Sequence, residues 1–246
     1  SREEFPSSAQ PLWKGERYGH KRIRVAYLSA NFNQHAVAQL MAGVFEHHDR
    51  TRFETIAVSY GDDDGSEMRT RLRKAFDRFI DTAGSSDFEI ATLLRQMEAD
   101  IVIDLKGHTE DGRPGILAYR PAPVQVQYLG YPGTMGMDCI DYVIADKIVV
   151  PENHRMYFSE KVAYLPDSYQ CNDSRRRVAG TTPERAALGL PEDGFVFCSF
   201  NNSYKILPDV FAAWMRLLRQ TEHSVLWLLD HGEDAKRNLA RETAAD

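Results

Sequence analysis

Residues 23–60 read IRVAYLSANFNQHAVAQLMAGVFEHHDRTRFETIAVSY, and this stretch decides the fold. A β-branched and aromatic run, Ile23 to Ser29, breaks into the polar ANFNQH and gives way to apolar residues at 37, 40, 41, 44 and 45. The first pattern predicts a strand. The second predicts a helix, because apolar side chains three and four apart fall on one face. FETIAVSY (53–60) is the next strand. A short apolar strand, a helix and a second short apolar strand predict parallel pairing through a right-handed crossover.

Working outward, GDDDGS (61–66) reads as a turn whose Ser66 caps a helix over EMRTRLRKAFDRFI (67–80), and Asp87 caps a further helix over 88–99. DIVIDL (100–105), VQVQYL (124–129) and DYVIA (141–145) continue the buried strands. The order β-α-β-α-α-β predicts an α/β fold with a Rossmann-like parallel sheet over residues 23–180. Ligands of such sheets sit beyond the carboxyl ends of the strands, so the loops after Ser29, Leu105, Leu129 and Ala145 are the ones to examine. Residues 1–22 are polar and read as a linker. From 181 to 246 a second unit begins: FVFCSF (195–200), a helix started by Pro208 and SVLWLL (224–229) make one βαβ. One βαβ cannot bury both faces of a sheet, and the tail 230–246 loses its apolar rhythm, so this second lobe is expected to be truncated.

The 246 residues carry a net charge of −6, which argues against binding nucleic acid through bulk electrostatics. No apolar run reaches the ~18 residues of a membrane span. Cys139, Cys171 and Cys198 show neither metal-ligand spacing nor a disulfide framework, and are expected to be free thiols in a reducing compartment.

The unusual segment is DLKGHTEDGRPGILAYRPAPVQVQYLGYPGT (104–134), too rich in glycine, proline and polar residues for core and too aromatic for a linker. Asp104 and His108 are close enough to orient one another around Gly107, or simply to build a turn, and Lys106 and Thr109 fit either reading. The glycines of the Gly130–Thr134 loop expose backbone N–H groups that suit an anion or a sugar hydroxyl, though a plain turn fits as well. His35 is placed to hydrogen-bond a phosphate, to act as a base or merely to cap a helix. Lys205, between a strand and a helix, is suited to balance a departing diphosphate or to lie on the surface. Trp214 and Trp227 are read as core, and His20, His47 and His48 as solvated.

Taken in order, RVAYLSANFNQHAVAQLM (24–41), DLKGHTEDGRPGILAYRPAPVQVQYLGYPGTMG (104–136), DYVIAD (141–146), FSEKVAYLPDSYQ (158–170), FCSFNNSYKILPDVFAAWMRLL (197–218) and SVLWLL resemble the catalytic region of the O-linked N-acetylglucosamine transferase family, which includes the SPINDLY-type proteins. The resemblance runs from about Ile23 to Leu229. It implies a two-lobed GT-B glycosyltransferase without a cofactor or required metal, inverting, moving GlcNAc from UDP-GlcNAc to Ser or Thr of proteins. Fucosyl or other hexosyl transfer lies within the same family. It implies catalytic roles for His35 and Lys205, and donor contacts from Lys205 and Asn202, the latter standing where many members have glutamine. His108, Thr109, Gly130, Tyr131, Pro132, Gly133 and Thr134 are implied on the acceptor and sugar side, with His108 where some members have tyrosine. It further implies tetratricopeptide repeats upstream, the rest of the nucleotide-sugar lobe downstream, protein acceptors and a cytoplasmic setting. On that reading this stretch alone is expected to be inactive, serving at most as a binding module. A generic NAD-binding alternative is disfavoured because no GxGxxG follows the first strand.

Overall fold

The structure is a computed structural model and describes residues 4–245. The chain divides into two units, Ser1–Arg176 and Arg177–Asp246.

The first unit holds seven strands: β1 (Ile23–Ser29), β2 (Phe53–Ser59), β3 (Arg78–Asp81), β4 (Ile101–Asp104), β5 (Val124–Tyr128), β6 (Tyr142–Ala145) and β7 (Lys161–Tyr164). All pair in parallel, in the order β3-β2-β1-β4-β5-β6-β7. The helices are α1 (Ala36–Glu46), α2 (Glu67–Ala75), α3 (Asp87–Gln96) and the single turn α4 (Gly115–Ala118). Alternation along β1 sends Ala26 and Leu28 into a core with Ile56, Ile90, Leu94 and Val102, while Val25 and Tyr27 enter the opposite core with Met41, Phe45 and Leu72. Phe32 ties the loop after β1 into that second core, its ring centroid 5.6 Å from Phe76 and 5.9 Å from Phe45. Register pairs Ser29 with Ser59, and Leu28 with Asp104. The strand ends therefore stand level on one rim, and the order reverses between β1 and β4, where a crevice opens in sheets of this kind.

Several expectations are corrected. The helix expected over 67–80 stops at Ala75, and Arg78–Asp81 becomes an edge strand that satisfies the open side of β2. Ser66 does cap α2, accepting from Arg69 N, but the cap of α3 is Ser86, in a reciprocal capping box with Glu89, and not Asp87. The motif FSEKVAYLP hides a seventh strand, β7. Residues 8–13 do not hang free as a linker: Ser8 N donates to Ala118 O (2.8 Å), Leu12 N to Tyr119 O (2.9 Å) and Trp13 N to Arg120 O (2.9 Å). His20 is half-buried, stacked on Tyr18 with Nε2 3.3 Å from Glu98, and His48 is half-buried with its Nε2 2.7 Å from the Tyr27 hydroxyl. Only His47 of the three is exposed.

The second unit pairs β8 (Val196–Ser199) with β9 (Val225–Leu228) in parallel across α5 (Pro208–Gln220), which begins at Pro208 as expected. The tail is not irregular: Glu233–Ala245 forms α6, a polar helix supported by Lys236–Glu233 and Arg237–Asp234 pairs three residues apart. Trp214 and Trp227 are half-buried, packing edge-on against Phe211 and Phe200, and among this unit's described residues only Phe211 and Met215 are buried. Cys139 is buried, Cys171 half-buried and Cys198 exposed, all free. No helix among the described residues is long and apolar enough to cross a membrane.

Candidate functional site

The loops after β1, β4 and β5 meet at the reversal point of the sheet. The first is held from two sides. Arg69, buried from α2, donates to Phe32 O and to Ser59 Oγ, both at 3.2 Å, and Asp64 accepts from Gln34 N at 2.8 Å. The acidic turn 61–66 thereby fixes the approach to His35.

His35 is the N-cap of α1, its Nδ1 accepting from Val37 N at 3.1 Å. A ring nitrogen that accepts carries no proton, so the neutral imidazole holds its hydrogen on Nε2 and presents a donor. The residue is exposed, yet desolvation, and then the Lys106 ammonium, lower its pKa below the ordinary 6.5. The capping reading therefore holds for Nδ1, while Nε2–H is left for a ligand.

The second loop is built on Asp104. Its carboxylate is fully buried, with Oδ1 accepting from Lys106 N (3.0 Å) and Oδ2 from Gly107 N (2.9 Å). Burial raises its pKa, against those two bonds and the nearby Lys106 ammonium. Asp104 thus staples the turn and does not orient the imidazole. His108 turns instead to the third loop, Nε2 donating to Met135 O at 2.9 Å with its ring 5.4 Å from that of Tyr131, so that in the neutral ring Nδ1 carries the lone pair. Lys106 is buried and its Nζ donates to Asn31 Oδ1 at 2.7 Å, joining the first two loops. Thr109 Oγ1 closes the turn onto Lys106 O at 2.8 Å.

Close backbone approach explains two glycines. Gly107 has φ +57°, and a Cβ there would lie 2.6 Å from Tyr131 Cβ; a Cβ on Gly130 would lie 2.0 Å from Leu105 O. Leu129, just before it, is held in the left-handed region at φ +66°. The 130–136 loop is anchored by the buried Glu160, which accepts from Met135 N and from Thr134 Oγ1, both at 2.7 Å. Gly133 lies against the Tyr131 ring, and Pro132 is exposed.

Two cavities result. One of about 310 Å³ is lined by Asn31, His35, Lys106, Thr109, Asp111 and Gly130. The other, about 640 Å³, is lined by His108, Thr109, Tyr131 and Thr134. Thr109 lines both. Three loops far apart in sequence therefore converge on two adjoining cavities. Asn202 and Lys205 belong to the second unit, where a 3-10 turn, Ser203–Lys205, leaves β8; both are exposed, and Lys205 Nζ lies 5.9 Å from the Tyr204 ring centroid.

Sequence reading missed Asn31, Arg69 and Glu160, and left Lys106 undecided. A buried-type lysine directly after an apolar strand was the one available signal; Arg69 and Glu160 look like ordinary surface charges in their own segments. Among the described residues, no group of three or more His, Cys, Asp or Glu is placed to hold a metal ion.

The profile of a family described as Glycosyl transferase family 41 matches residues 11–182 and 175–245. The chain is 37% identical over 216 residues to a probable UDP-N-acetylglucosamine–peptide N-acetylglucosaminyltransferase SEC of Arabidopsis thaliana, covering 86% of this chain and 22% of that protein. It is 31% identical over 218 residues to the similarly named SPINDLY of Solanum lycopersicum, covering 87% and 23%. It superposes on a mutant O-GlcNAc transferase of Thermobaculum terrenum with a TM-score of 0.86 and 28% identity, over 99% of this chain and 46% of that one. The chain thus spans less than a quarter of the length of these curated relatives.

Proposed function

Because the chain belongs to glycosyl transferase family 41, we propose that it is part of a protein O-glycosyltransferase that moves GlcNAc from UDP-GlcNAc to Ser or Thr hydroxyls of polypeptides in the cytoplasm. Transfer is inverting and metal-independent in this reading. The observation that carries it is the convergence of the His35 loop, the 104–109 turn and the 130–134 loop on two adjoining cavities at the reversal point of the sheet. The names of the relatives supply the sugar and the acceptor class.

The roles follow from chemistry. Displacement at the anomeric carbon leaves negative charge on the diphosphate and takes a proton from the acceptor hydroxyl. Lys205, on an exposed turn, supplies charge to the diphosphate, with Asn202 beside it as a donor contact. His35 Nε2–H donates to the bound substrates, and His108, through its free Nδ1, offers the lone pair that can relay the proton. The larger cavity takes the acceptor and the smaller one faces the sugar.

The test uses the intact enzyme. Wild-type protein should transfer GlcNAc from UDP-GlcNAc to a protein acceptor, and Lys205→Met should lower turnover by about a hundred- to a thousandfold, the typical effect of losing one such electrostatic contact. Circular dichroism should be unchanged, since methionine keeps the aliphatic stem. A parallel reaction with GDP-fucose checks the donor. A folded Lys205→Met enzyme with near-wild-type turnover removes that assignment, and a wild-type enzyme that transfers from neither donor removes the function.

A further inference from the structure

The segment before β1 is not a linker but a wall of the larger cavity. Glu4 and Phe5 line it together with His108, Tyr131 and Thr134. Phe5 also packs on the core beneath α3 and α4, near enough to α4 that a Cβ on Gly115 would lie 3.6 Å from its ring. The following residues are pinned by the three backbone bonds to Ala118, Tyr119 and Arg120, and by Arg95 Nε, which donates to Leu12 O at 3.1 Å. The wall is therefore built into the domain.

Its chemistry is one-sided. Among the described residues lining the cavity, Glu4 is the carboxylate, no lysine or arginine contributes, and Phe5 and Tyr131 bring aromatic rings. A carboxylate beside aromatic rings favours a cation, through Coulomb attraction and through the negative face of each ring. The chain's net charge of −6 would also draw basic partners. We propose that Glu4 and Phe5 are specificity-determining residues of the acceptor cavity, selecting polypeptides that carry a lysine or arginine side chain close to the hydroxyl that is glycosylated. This inference rests on the transferase reading above.

The experiment uses the full-length enzyme at saturating UDP-GlcNAc and a peptide set in which a single lysine, norleucine or glutamate is walked through the residues flanking one serine. At one or more flanking positions, wild-type kcat/KM should favour lysine over glutamate by about 5-fold, the upper end for a partly exposed pair. Glu4→Lys should reverse that order. Phe5→Ala should raise the acceptor KM and reduce the preference for lysine over norleucine, with the donor KM unchanged. If Phe5→Ala does not fold, Phe5→Leu and the exposed Glu4→Lys decide. A wild-type enzyme active on all peptides alike, or a lysine preference that survives in Glu4→Lys, overturns the inference and leaves the transferase reading standing. A wild-type enzyme that transfers to no peptide from any donor overturns both.

Discussion

His35 shows how much one ring can be committed by its local geometry. Its Nδ1 serves α1, while desolvation and then the neighbouring Lys106 ammonium disfavour a second proton, so the neutral ring with its donor on Nε2 is favoured. Removing the cap with His35→Ala should cost about 0.5–2 kcal/mol, and His35→Asn should restore most of it, because asparagine is a strong N-cap. The pH dependence has a definite sign. A histidine whose folded pKa is lowered binds its proton more readily when unfolded, so its stabilisation is present above the unfolded value of about 6.5 and is lost as pH falls through that value toward the folded pKa. NMR titration of the ring should place its pKa below 6.5, and Lys106→Met should move it upward. A ring that titrates at or above the ordinary value, or that ignores Lys106, would show that the pocket does not hold it neutral.

At the level of elements, the loops stay together by backbone contact, and that makes a glycine substitution informative. Gly130→Ala places a methyl 2.0 Å from Leu105 O, so either β4 or the loop must move. Overpacking of this kind costs about 1–3 kcal/mol. Gly180→Ala, with nothing within 4 Å, is the control and should leave the melting temperature unchanged. Equal melting temperatures for the two variants would mean the loop gives way freely. The same scale explains the largest misreading. Leu72, Phe76, Phe79 and Ile80 keep helical spacing through the sequence, so periodicity alone carries the helix past its true end at Ala75. What ends it is Asp77, whose carboxylate accepts from Thr55 N and Arg22, together with the unpaired edge of β2. Both are partners from distant segments. By contrast Ser66 and Pro208 were legible, since capping and helix starts depend on neighbours in the chain.

For the whole molecule, the division between the two units falls in a continuously exposed stretch. Up to Asp173 the chain is clamped: Arg71 donates to both oxygens of Asp173, at 2.6 and 3.1 Å, and to Glu46. From Ser174 to Gly189 every residue is exposed, including Arg175, Arg176 and Arg177. Exposed polar connections are the preferred sites of proteolytic nicking. Brief trypsin treatment should therefore cut first within Arg175–Arg185, leaving a protected fragment that contains the seven-stranded sheet, as read by mass spectrometry over time. First cuts inside β1 to β7 would refute the division after Arg176.

The sequence by itself determined the parallel α/β lobe, the second βαβ and the loops that matter, because alternation, helical spacing and capping are properties of neighbouring residues. It also carried the family, in strings such as RPAPVQVQYLGYPGT. Tertiary structure alone decided what those loops do. Lys106 meets Asn31 across 75 positions, Glu160 fastens a loop that begins 30 residues earlier at Gly130, and Phe5 lines a cavity with Tyr131. Those contacts exist only once the strand ends are brought level on one rim, and no local pattern encodes which side chains a folded sheet will bring face to face.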